Sequence, residues 1–341
     1  MRIAVLRPQV PFARGGAEIF TDRLVDELRV RGHEADLLSV PFKWYPGARV
    51  LTQAFLWRML DLDEADGRTI DVVVATKFPS YLVRHADKRV WLVHQFRQAY
   101  ELDGTPLGQF GRSAEDRALR RKVQELDRVA LGEASRLFTT SRNVASRLEA
   151  STGLSAEVLP HPPQELDYRC QGYGDFVLSV NRLDRAKRID LLIEAAARDS
   201  GLELVITGEG PDRERLERLA HDRGLDGRAR FTGRVSEAEL ADLYARCLAV
   251  YYAPVDEDYG MVPLEAFLAE KPVLTTTDAG GPLEVVSDHT TGLVVMPDAE
   301  EIARALGWLR EHREEAASFG RAGNAIAREV TWDRAIGRLL A

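Results

Sequence analysis

Cysteine is almost absent from this sequence of 341 residues, occurring only as Cys170 and Cys247. Two cysteines cannot build the disulfide framework of a small secreted domain. Long apolar runs are lacking too, because no segment approaches the ~18 uninterrupted apolar residues that a membrane-spanning helix needs. The apolar residues between Arg2 and Arg7 are too few for the apolar stretch of a signal peptide. These features predict a cytoplasmic protein.

The sequence also lacks an excess of basic residues. Lys and Arg together number 46 against 54 for Asp and Glu, giving a formal net charge of −8. This balance argues against a dedicated nucleic-acid binder, because phosphate contacts usually need a basic surface, and it leaves room for a local basic patch. The composition, 45% hydrophobic and 29% charged, is that of an ordinary globular protein, and the length favours two domains.

Short apolar runs alternate with amphipathic helical patterns along the chain. Runs without strict alternation suit strands that are buried on both faces of a parallel sheet. Alternation of such strands with helices predicts an α/β protein with crossover connections. The predicted strands are Arg2–Leu6, Ala35–Val40, Asp71–Ala75, Arg89–Val93, Leu137–Thr140, Asp175–Val180, Glu203–Ile206, Ala229–Thr232, Leu248–Tyr252, Pro272–Thr275 and Gly292–Val295.

Three prolines between Leu159 and Gln164 mark the predicted domain boundary, since proline continues neither a helix nor a central strand. We therefore predict two Rossmann-like domains that face a central cleft. Their ranges are residues 1–163 and residues 164–330. Residues 331–341 are predicted to form a final helix that joins the first domain.

Two features of the first half predict ligand binding at a strand end. Gly15 and Gly16 open the helix after the first strand, and the free N–H groups of a helix start can hold a phosphate. A tight strand-to-helix turn is the simpler interpretation of a diglycine alone. His94 follows another strand and can hydrogen-bond a ligand at the same edge, although a single histidine is more often structural.

The second half places cations after its first strand. Arg182 and Lys187 are expected in a loop at the carboxyl end of that strand, where open α/β sheets bind ligands. Two cations at this spacing can clamp a diphosphate and stabilise a departing one. A solvated charged loop is the alternative, and Arg185 and Arg188 are expected to be no more than that.

The densest group of candidate residues follows the strand Leu248–Tyr252. Glu257 is expected in a loop, and Glu265, eight residues later, in the next helix. Two such carboxylates can each hold two hydroxyls of a sugar or ribose. A glycosidase-like acid/base pair is one alternative, and two unrelated acids are another. Asp256 and Asp258 form an Asp-x-Asp pattern, but two carboxylates do not define a metal site.

A partial glycine motif argues against a nicotinamide-dependent dehydrogenase. Gly208 and Gly210 follow an interior strand, but Arg213 stands where the dinucleotide-binding fingerprint has its third glycine. A dehydrogenase is therefore the weakest of the functions considered for this sequence.

The ordered set of glycine pair, strand-end histidine, Arg…Lys and paired glutamates resembles the retaining glycosyltransferases of family 4. The resemblance extends from Gly15 to Glu284 and is most specific from Glu257 to Glu265. It implies the glycosyltransferase B fold, with a nucleotide-sugar donor held by the second domain and the acceptor by the first. Asn181 stands where the family often has glycine, a departure that removes no charged group.

The resemblance also implies roles for individual residues. Arg182 and Lys187 are expected to neutralise the donor diphosphate. Glu257 is expected to hold the transferred sugar, and Glu265 the ribose. The residues expected to act in catalysis are His94, Arg182, Lys187 and Glu257. The residues expected to bind the donor are Gly15, Gly16, Gly208, Arg234, Val235, Asp258, Tyr259, Gly260, Met261, Val262 and Glu265.

The activity that the resemblance implies is metal-independent transfer of a sugar, with retention, to the hydroxyl of an unidentified glycan, lipid-linked or small-molecule acceptor. A UDP-sugar is the first expectation for the donor and a GDP-sugar the second, and no cofactor is expected. An epimerase or hydrolase on the same scaffold is one alternative. A non-catalytic sugar-nucleotide-binding protein is the other, although it could dispense with His94 and Glu257.

A basic run in the first half bears on further partners. The helix expected after Ser113 carries Arg117, Arg120, Arg121 and Lys122. These residues can meet an anionic acceptor or a membrane surface, which would place the protein at the inner membrane face. A solvated helix face is the slightly preferred interpretation.

Overall fold

The fold is given by a computed structural model that describes residues 1–12, 15–105, 108 and 110–341. It has two compact units, one formed by residues 1–161 with 332–341 and the other by residues 162–331. Each unit contains a six-stranded sheet with helices, as expected for two Rossmann-like domains. Within these described ranges, no helix is both long and apolar enough to span a membrane.

The sheet of the first unit has the strand order β2-β1-β5-β6-β7-β8, with parallel pairing throughout. The strands of this unit, including a small hairpin formed by β3 and β4, are β1 (Arg2–Gln9), β2 (Glu34–Pro41), β3 (Glu64–Ala65), β4 (Arg68–Thr69), β5 (Val72–Lys77), β6 (Lys88–His94), β7 (Arg136–Thr139) and β8 (Glu157–Val158). Its first four helices are α1 (Gly16–Val30), α2 (Arg49–Arg58), α3 (Ala114–Gly132) and α4 (Arg142–Thr152).

Both faces of this sheet are covered because β1 is apolar at successive positions. Ile3 packs in the cluster that contains Phe20 of α1, whereas Leu6 packs in the cluster that contains Trp57 of α2. Burial on both faces accounts for the unbroken apolar runs that predicted the strands.

The sheet of the second unit has the order β11-β10-β9-β12-β13-β14, again parallel throughout. Its strands are β9 (Phe176–Val180), β10 (Glu203–Thr207), β11 (Ala229–Gly233), β12 (Ala249–Tyr251), β13 (Val273–Thr276) and β14 (Gly292–Val295). Its helices are α5 (Ile189–Arg198), α6 (Arg213–Asp222), α7 (Glu237–Arg246), α8 (Val262–Leu268), α9 (Ala299–Glu311) and α10 (Arg313–Arg328). In order of appearance this is the 3-2-1-4-5-6 arrangement of doubly wound sheets.

The final helix, α11 (Trp332–Leu340), packs on the first unit. Trp332 and Leu339 are buried in the same cluster as Ile3 and Phe20. The guanidinium of Arg89 donates to the carbonyl oxygen of Leu339 at 2.6 Å. The chain therefore returns to its first unit after completing the second.

Candidate functional site

The strand order of the second unit indicates a ligand site at the loops after β9 and β12. These two strands are neighbours, and their crossover connections leave in opposite directions along the sheet. Ligands of open α/β sheets bind outside the carboxyl ends of the strands at such a switch point. The loop after β9 carries Arg182 and Lys187, and the loop after β12 carries Glu257.

Lys187 and Glu257 form an ion pair across these two loops. The Nζ of Lys187 donates to Oε2 of Glu257, and the two side chains are only 18% and 19% exposed. Lys187 Nζ also lies 3.4 Å from the hydroxyl of Tyr252 and 5.4 Å from the centre of its ring. The fold thus brings together two side chains that are 70 residues apart in the sequence, because their loops follow neighbouring strands.

The pairing with Glu257 keeps Lys187 positively charged. Burial would lower the pKa of Lys187, but the carboxylate of Glu257 outweighs burial and raises the pKa above its ordinary value. Lys187 therefore stays protonated at neutral pH and cannot serve as a general base. It can stabilise negative charge that develops nearby.

Arg188 corrects an expectation, because its side chain is largely buried and paired rather than solvated. Its side chain is 13% exposed and donates to the carbonyl oxygens of Ala253 and Pro254 at 2.9 and 2.7 Å. It also forms a two-pronged ion pair with Asp278, at 2.9 and 2.8 Å. Arg188 thus joins the loops after β9, β12 and β13, whereas its neighbour Arg185 is exposed as expected.

The Glu257 loop is fixed by backbone bonds to the loop after β13. The amide of Glu257 donates to Ala279 O at 2.8 Å, and the amide of Gly281 donates to Glu257 O at 2.8 Å. A Cβ at Gly281 would lie 2.6 Å from the carbonyl oxygen of Asp258, so only glycine fits. This close contact explains the glycine at position 281 without any ligand.

Glu265 is buried on α8, at the base of the same loop. It is 7% exposed, and the hydroxyl of Tyr244 on α7 donates to its Oε2 at 2.7 Å. Burial raises the pKa of Glu265, while the hydrogen bond from Tyr244 opposes that rise. Tyr244 carried no signal in the sequence, because one tyrosine on an amphipathic helix reads as core.

The other donor-binding candidates on this loop follow Glu257 in the sequence. Asp258 is 6% exposed, and Tyr259 and Gly260 follow it. Gly260 has φ of 78°, and a Cβ there would lie 2.8 Å from the ring of Tyr252. Met261 and Val262 begin α8, so this helix starts two residues later than the predicted position near Gly260.

The remaining cation, Arg182, is not brought to the ion pair. Its side chain is 68% exposed, and its guanidinium lies 3.9 Å from Asp184. Arg234 is likewise exposed, and with the half-buried Val235 it follows β11, the edge strand of the sheet. Arg182 thus shares the loop of Lys187 after the central strand β9, whereas Arg234 and Val235 follow the outermost strand of the sheet.

Gly208 is required by the backbone around it. Its φ is 111°, and a Cβ there would lie 1.9 Å from the carbonyl oxygen of Asn181. Its amide donates to Gly233 O at 2.8 Å. Gly208 therefore allows the loop after β10 to pack against the loop that leads to Lys187.

In the first unit, Gly15 and Gly16 begin α1 as expected, but a carboxylate of the chain already occupies this position. The amide of Gly15 donates to Oε2 of Glu18 at 2.9 Å, and Lys77 pairs with Oε1 of Glu18 at 2.8 Å. The phosphate-binding role expected for Gly16 stays a prediction.

His94 ends β6 beside Lys77, its partner in the parallel pairing with β5. Its Nδ1 lies 2.6 Å from the carbonyl oxygen of Gln95. The segment after it is held by Asp127, which accepts from the hydroxyls of Tyr81 and Tyr100 at 2.8 Å each. Burial raises the pKa of Asp127 to about 7 in spite of these two bonds.

Metal-binding groups and basic surface residues are the remaining features of the two units. Among the described residues, no group of three or more His, Cys, Asp or Glu side chains is placed to hold a metal ion. In the basic run of α3, Arg120 pairs with Asp103 and Lys122 with Glu125. Arg117 and Arg121 are exposed.

Part of the chain, including the site in the second unit, matches a known protein family. Residues 171–325 match the family described as glycosyl transferases group 1. The matched segment includes Lys187, Glu257 and Glu265 but not Gly15, Gly16 or His94.

Curated relatives cover part of the chain. Similarity to a GDP-mannose-dependent alpha-(1-6)-phosphatidylinositol monomannoside mannosyltransferase of Mycobacterium tuberculosis is 35% identity over 48% of this chain and 46% of that protein. Similarity to alpha-1,3/1,6-mannosyltransferase ALG2 of Homo sapiens is 28% identity over 49% of this chain and 44% of that protein. The chain thus matches less than half the length of these relatives.

Solved structures match almost the whole chain at low identity. The sucrose-phosphate synthase of Thermosynechococcus elongatus superposes with a TM-score of 0.79 at 18% identity, covering 99% of this chain and 98% of that one. HepE of Anabaena, solved in complex with UDP-glucose, superposes with a TM-score of 0.72 at 16% identity, covering 100% and 98%. These likenesses, with the two parallel sheets, confirm the glycosyltransferase B fold.

Proposed function

We propose that this protein is a glycosyltransferase that moves a sugar from a nucleoside-diphosphate sugar to an acceptor hydroxyl, with retention and without a metal ion. The observation that carries the proposal is the Lys187–Glu257 ion pair at the switch point of the second sheet. The match of residues 171–325 to glycosyl transferases group 1 supports it. The chemistry of a cation beside a carboxylate suits a ligand that is anionic at one end and rich in hydroxyls at the other.

In the proposed reaction, the bond between the anomeric carbon and the phosphate oxygen breaks, and a bond to the acceptor oxygen forms on the same face. The acceptor proton passes to the departing phosphate oxygen, so no protein base is needed. Lys187 stabilises the charge that develops on that phosphate. Glu257 holds hydroxyls of the transferred sugar, and Glu265 holds those of the ribose.

The donor is proposed to carry uracil or guanine. One relative has GDP-mannose in its name, and one solved structure of the same fold holds UDP-glucose. UDP-sugars are the first expectation and GDP-sugars the second. The roles expected for Gly15, Gly16 and His94 remain predictions.

The proposal is tested by incubating the protein with UDP-glucose, UDP-N-acetylglucosamine, UDP-galactose and GDP-mannose in buffer with EDTA. We expect slow release of UDP or GDP from one nucleotide class, at a rate that EDTA does not change. Proton NMR of the freshly released sugar should show the anomeric configuration of the donor. Inverted sugar, an epimerised donor, or release only with added metal would each contradict the proposal.

A further inference from the structure

Glu265 is held by a tyrosine that contacts no part of the surface. Tyr244 is fully buried on α7, and its hydroxyl donates to Glu265 Oε2 at 2.7 Å across the space between α7 and α8. The ring of Tyr244 is part of the apolar cluster that contains Leu264 and Phe267 on α8. The ring of Tyr244 therefore makes apolar contacts, and its hydroxyl makes the hydrogen bond to Glu265.

We propose that Tyr244 is a positioning residue for the donor, because its hydroxyl fixes the carboxylate of Glu265 in the orientation that accepts the ribose hydroxyls. The inference rests on the proposed function, in which Glu265 holds the ribose. Tyr244 itself does not touch the ligand. It acts through Glu265.

Hydrogen-bond geometry supports this role. A carboxylate has about four lone-pair directions, and the bond from Tyr244 uses one of those on Oε2. In this proposal, the other oxygen accepts the hydroxyl groups that the ligand donates. A buried carboxylate without any donor would cost free energy, so the tyrosine also stabilises the empty site.

Electrostatics support it as well. Burial raises the pKa of Glu265 and the Tyr244 bond lowers it, so the hydroxyl favours the charged form that binds hydroxyls best. Among the described residues, the titratable groups coupled to Glu265 from neighbouring elements are Tyr168, Tyr244 and Tyr252. Their pKa values are raised mainly by burial, so all three stay neutral around pH 7. Helix α10 also packs on α8, and there the amide of Asn324 donates to Phe267 O at 2.9 Å.

A matched control lies in the same cluster. Tyr168 packs against Tyr244 with ring centres 5.9 Å apart, but its buried hydroxyl has no hydrogen-bond partner in the described part of the chain. Tyr168→Phe removes a hydroxyl from the same aromatic pair without changing what Glu265 accepts. Tyr244→Phe removes the hydroxyl that Glu265 does accept.

The test is calorimetric binding of UDP and GDP, each compared with its 2′-deoxy and 3′-deoxy analogues. We expect the wild type to prefer one ribonucleotide over its deoxy forms about tenfold, which is about 1.4 kcal/mol. Tyr244→Phe should reduce that preference to about threefold or less and bind the deoxy forms as the wild type does. Tyr168→Phe should keep the wild-type preference.

The pH dependence gives a second readout that a purely structural role would not change. Without the tyrosine hydroxyl the pKa of Glu265 rises further, so the ribose preference of Tyr244→Phe should disappear at a higher pH than in the wild type as the pH falls. The matched ribo and deoxy ligands ionise alike, so the effect of phosphate ionisation cancels in the ratio. If Tyr244→Phe melts too low to measure, Tyr244→Met replaces it as an apolar side chain without a hydroxyl.

The outcomes separate the two proposals. A wild type that binds neither UDP nor GDP overturns the proposed function and this inference with it. A wild type that binds one of them, with the same ribose preference and pH dependence in the Tyr244 variant, overturns this inference alone. Equal losses in the Tyr168 and Tyr244 variants would also overturn it, because they would show general loosening of the cluster.

Discussion

Replacement of Lys187 by alanine is expected to lower kcat about 100- to 1000-fold, the loss that follows removal of one strong stabilising group from a transition state. The donor diphosphate would leave without the cation that the ion pair with Glu257 places at the switch point. The KM for the donor should rise less than kcat falls, because the charge on the phosphate is largest in the transition state. Steady-state kinetics with the active donor measure both effects.

The Lys187 experiment has a control in the same turn. Arg185 is an exposed cation two residues earlier, and Arg185→Ala should keep wild-type kinetics. Lys187→Ala also leaves the part-buried Glu257 carboxylate without its cation, so we expect a lower melting temperature but an unchanged circular dichroism spectrum. Near-normal kcat in folded Lys187→Ala would refute the role given to this lysine.

Replacement of Gly208 by alanine is expected to destabilise the protein by about 2–6 kcal/mol, the sum of backbone strain and overpacking. The φ of 111° disfavours any side chain, and the new Cβ would lie 1.9 Å from the carbonyl oxygen of Asn181. Because Asn181 belongs to the loop that leads to Lys187, donor binding should weaken as well. Urea unfolding and nucleotide titration measure the two effects.

Gly224 separates the strain from the collision. It has φ of 69° but nothing within 4 Å of its added Cβ, so Gly224→Ala should cost about 1–2 kcal/mol. Equal losses at Gly208 and Gly224 would show that the contact with Asn181 is relieved at no cost. The explanation of Gly208 by close packing would then be wrong.

The strands of both sheets could be predicted from the sequence, because strands that are buried on both faces appear as continuous apolar runs. Every apolar run predicted as a strand lies in one of the two sheets, from Arg2–Gln9 to Gly292–Val295. The strands that were missed, Glu64–Ala65, Arg68–Thr69 and Glu157–Val158, have two residues each. Elements this short carry no periodicity to detect.

The candidate site was predictable in part, because local signals show where a loop is but not what it contacts. The loops of Lys187 and Glu257 could be placed at strand ends, and their order in the sheet brings them together. Arg188 was misassigned, since its partners Ala253, Pro254 and Asp278 lie 65 to 90 residues away. No local pattern separates such a buried arginine from a solvated one.

The glycines also show how little a local sequence signal says about contacts in the fold. Gly208 was predicted to bind the donor, which stays a prediction, and the structure shows that the backbone of Asn181 approaches it closely. At Gly15, the carboxylate of Glu18 already holds the amide that looked open to a phosphate. A glycine in a sequence signals that something comes close, but the sequence does not say whether that group is near along the chain, as Glu18 is, or farther away, as Asn181 is.

The most direct test of the central claim, a nucleoside-diphosphate site in the second unit, is a thermal unfolding panel of UDP, GDP, ADP and their sugars with EDTA throughout. A ligand that binds only the folded state stabilises it by about 2.7 kcal/mol at a hundredfold excess over Kd. We predict that one nucleotide family raises the melting temperature of the wild type and that Lys187→Ala loses most of this shift. An unchanged melting temperature with every nucleotide at millimolar concentration would contradict the claim.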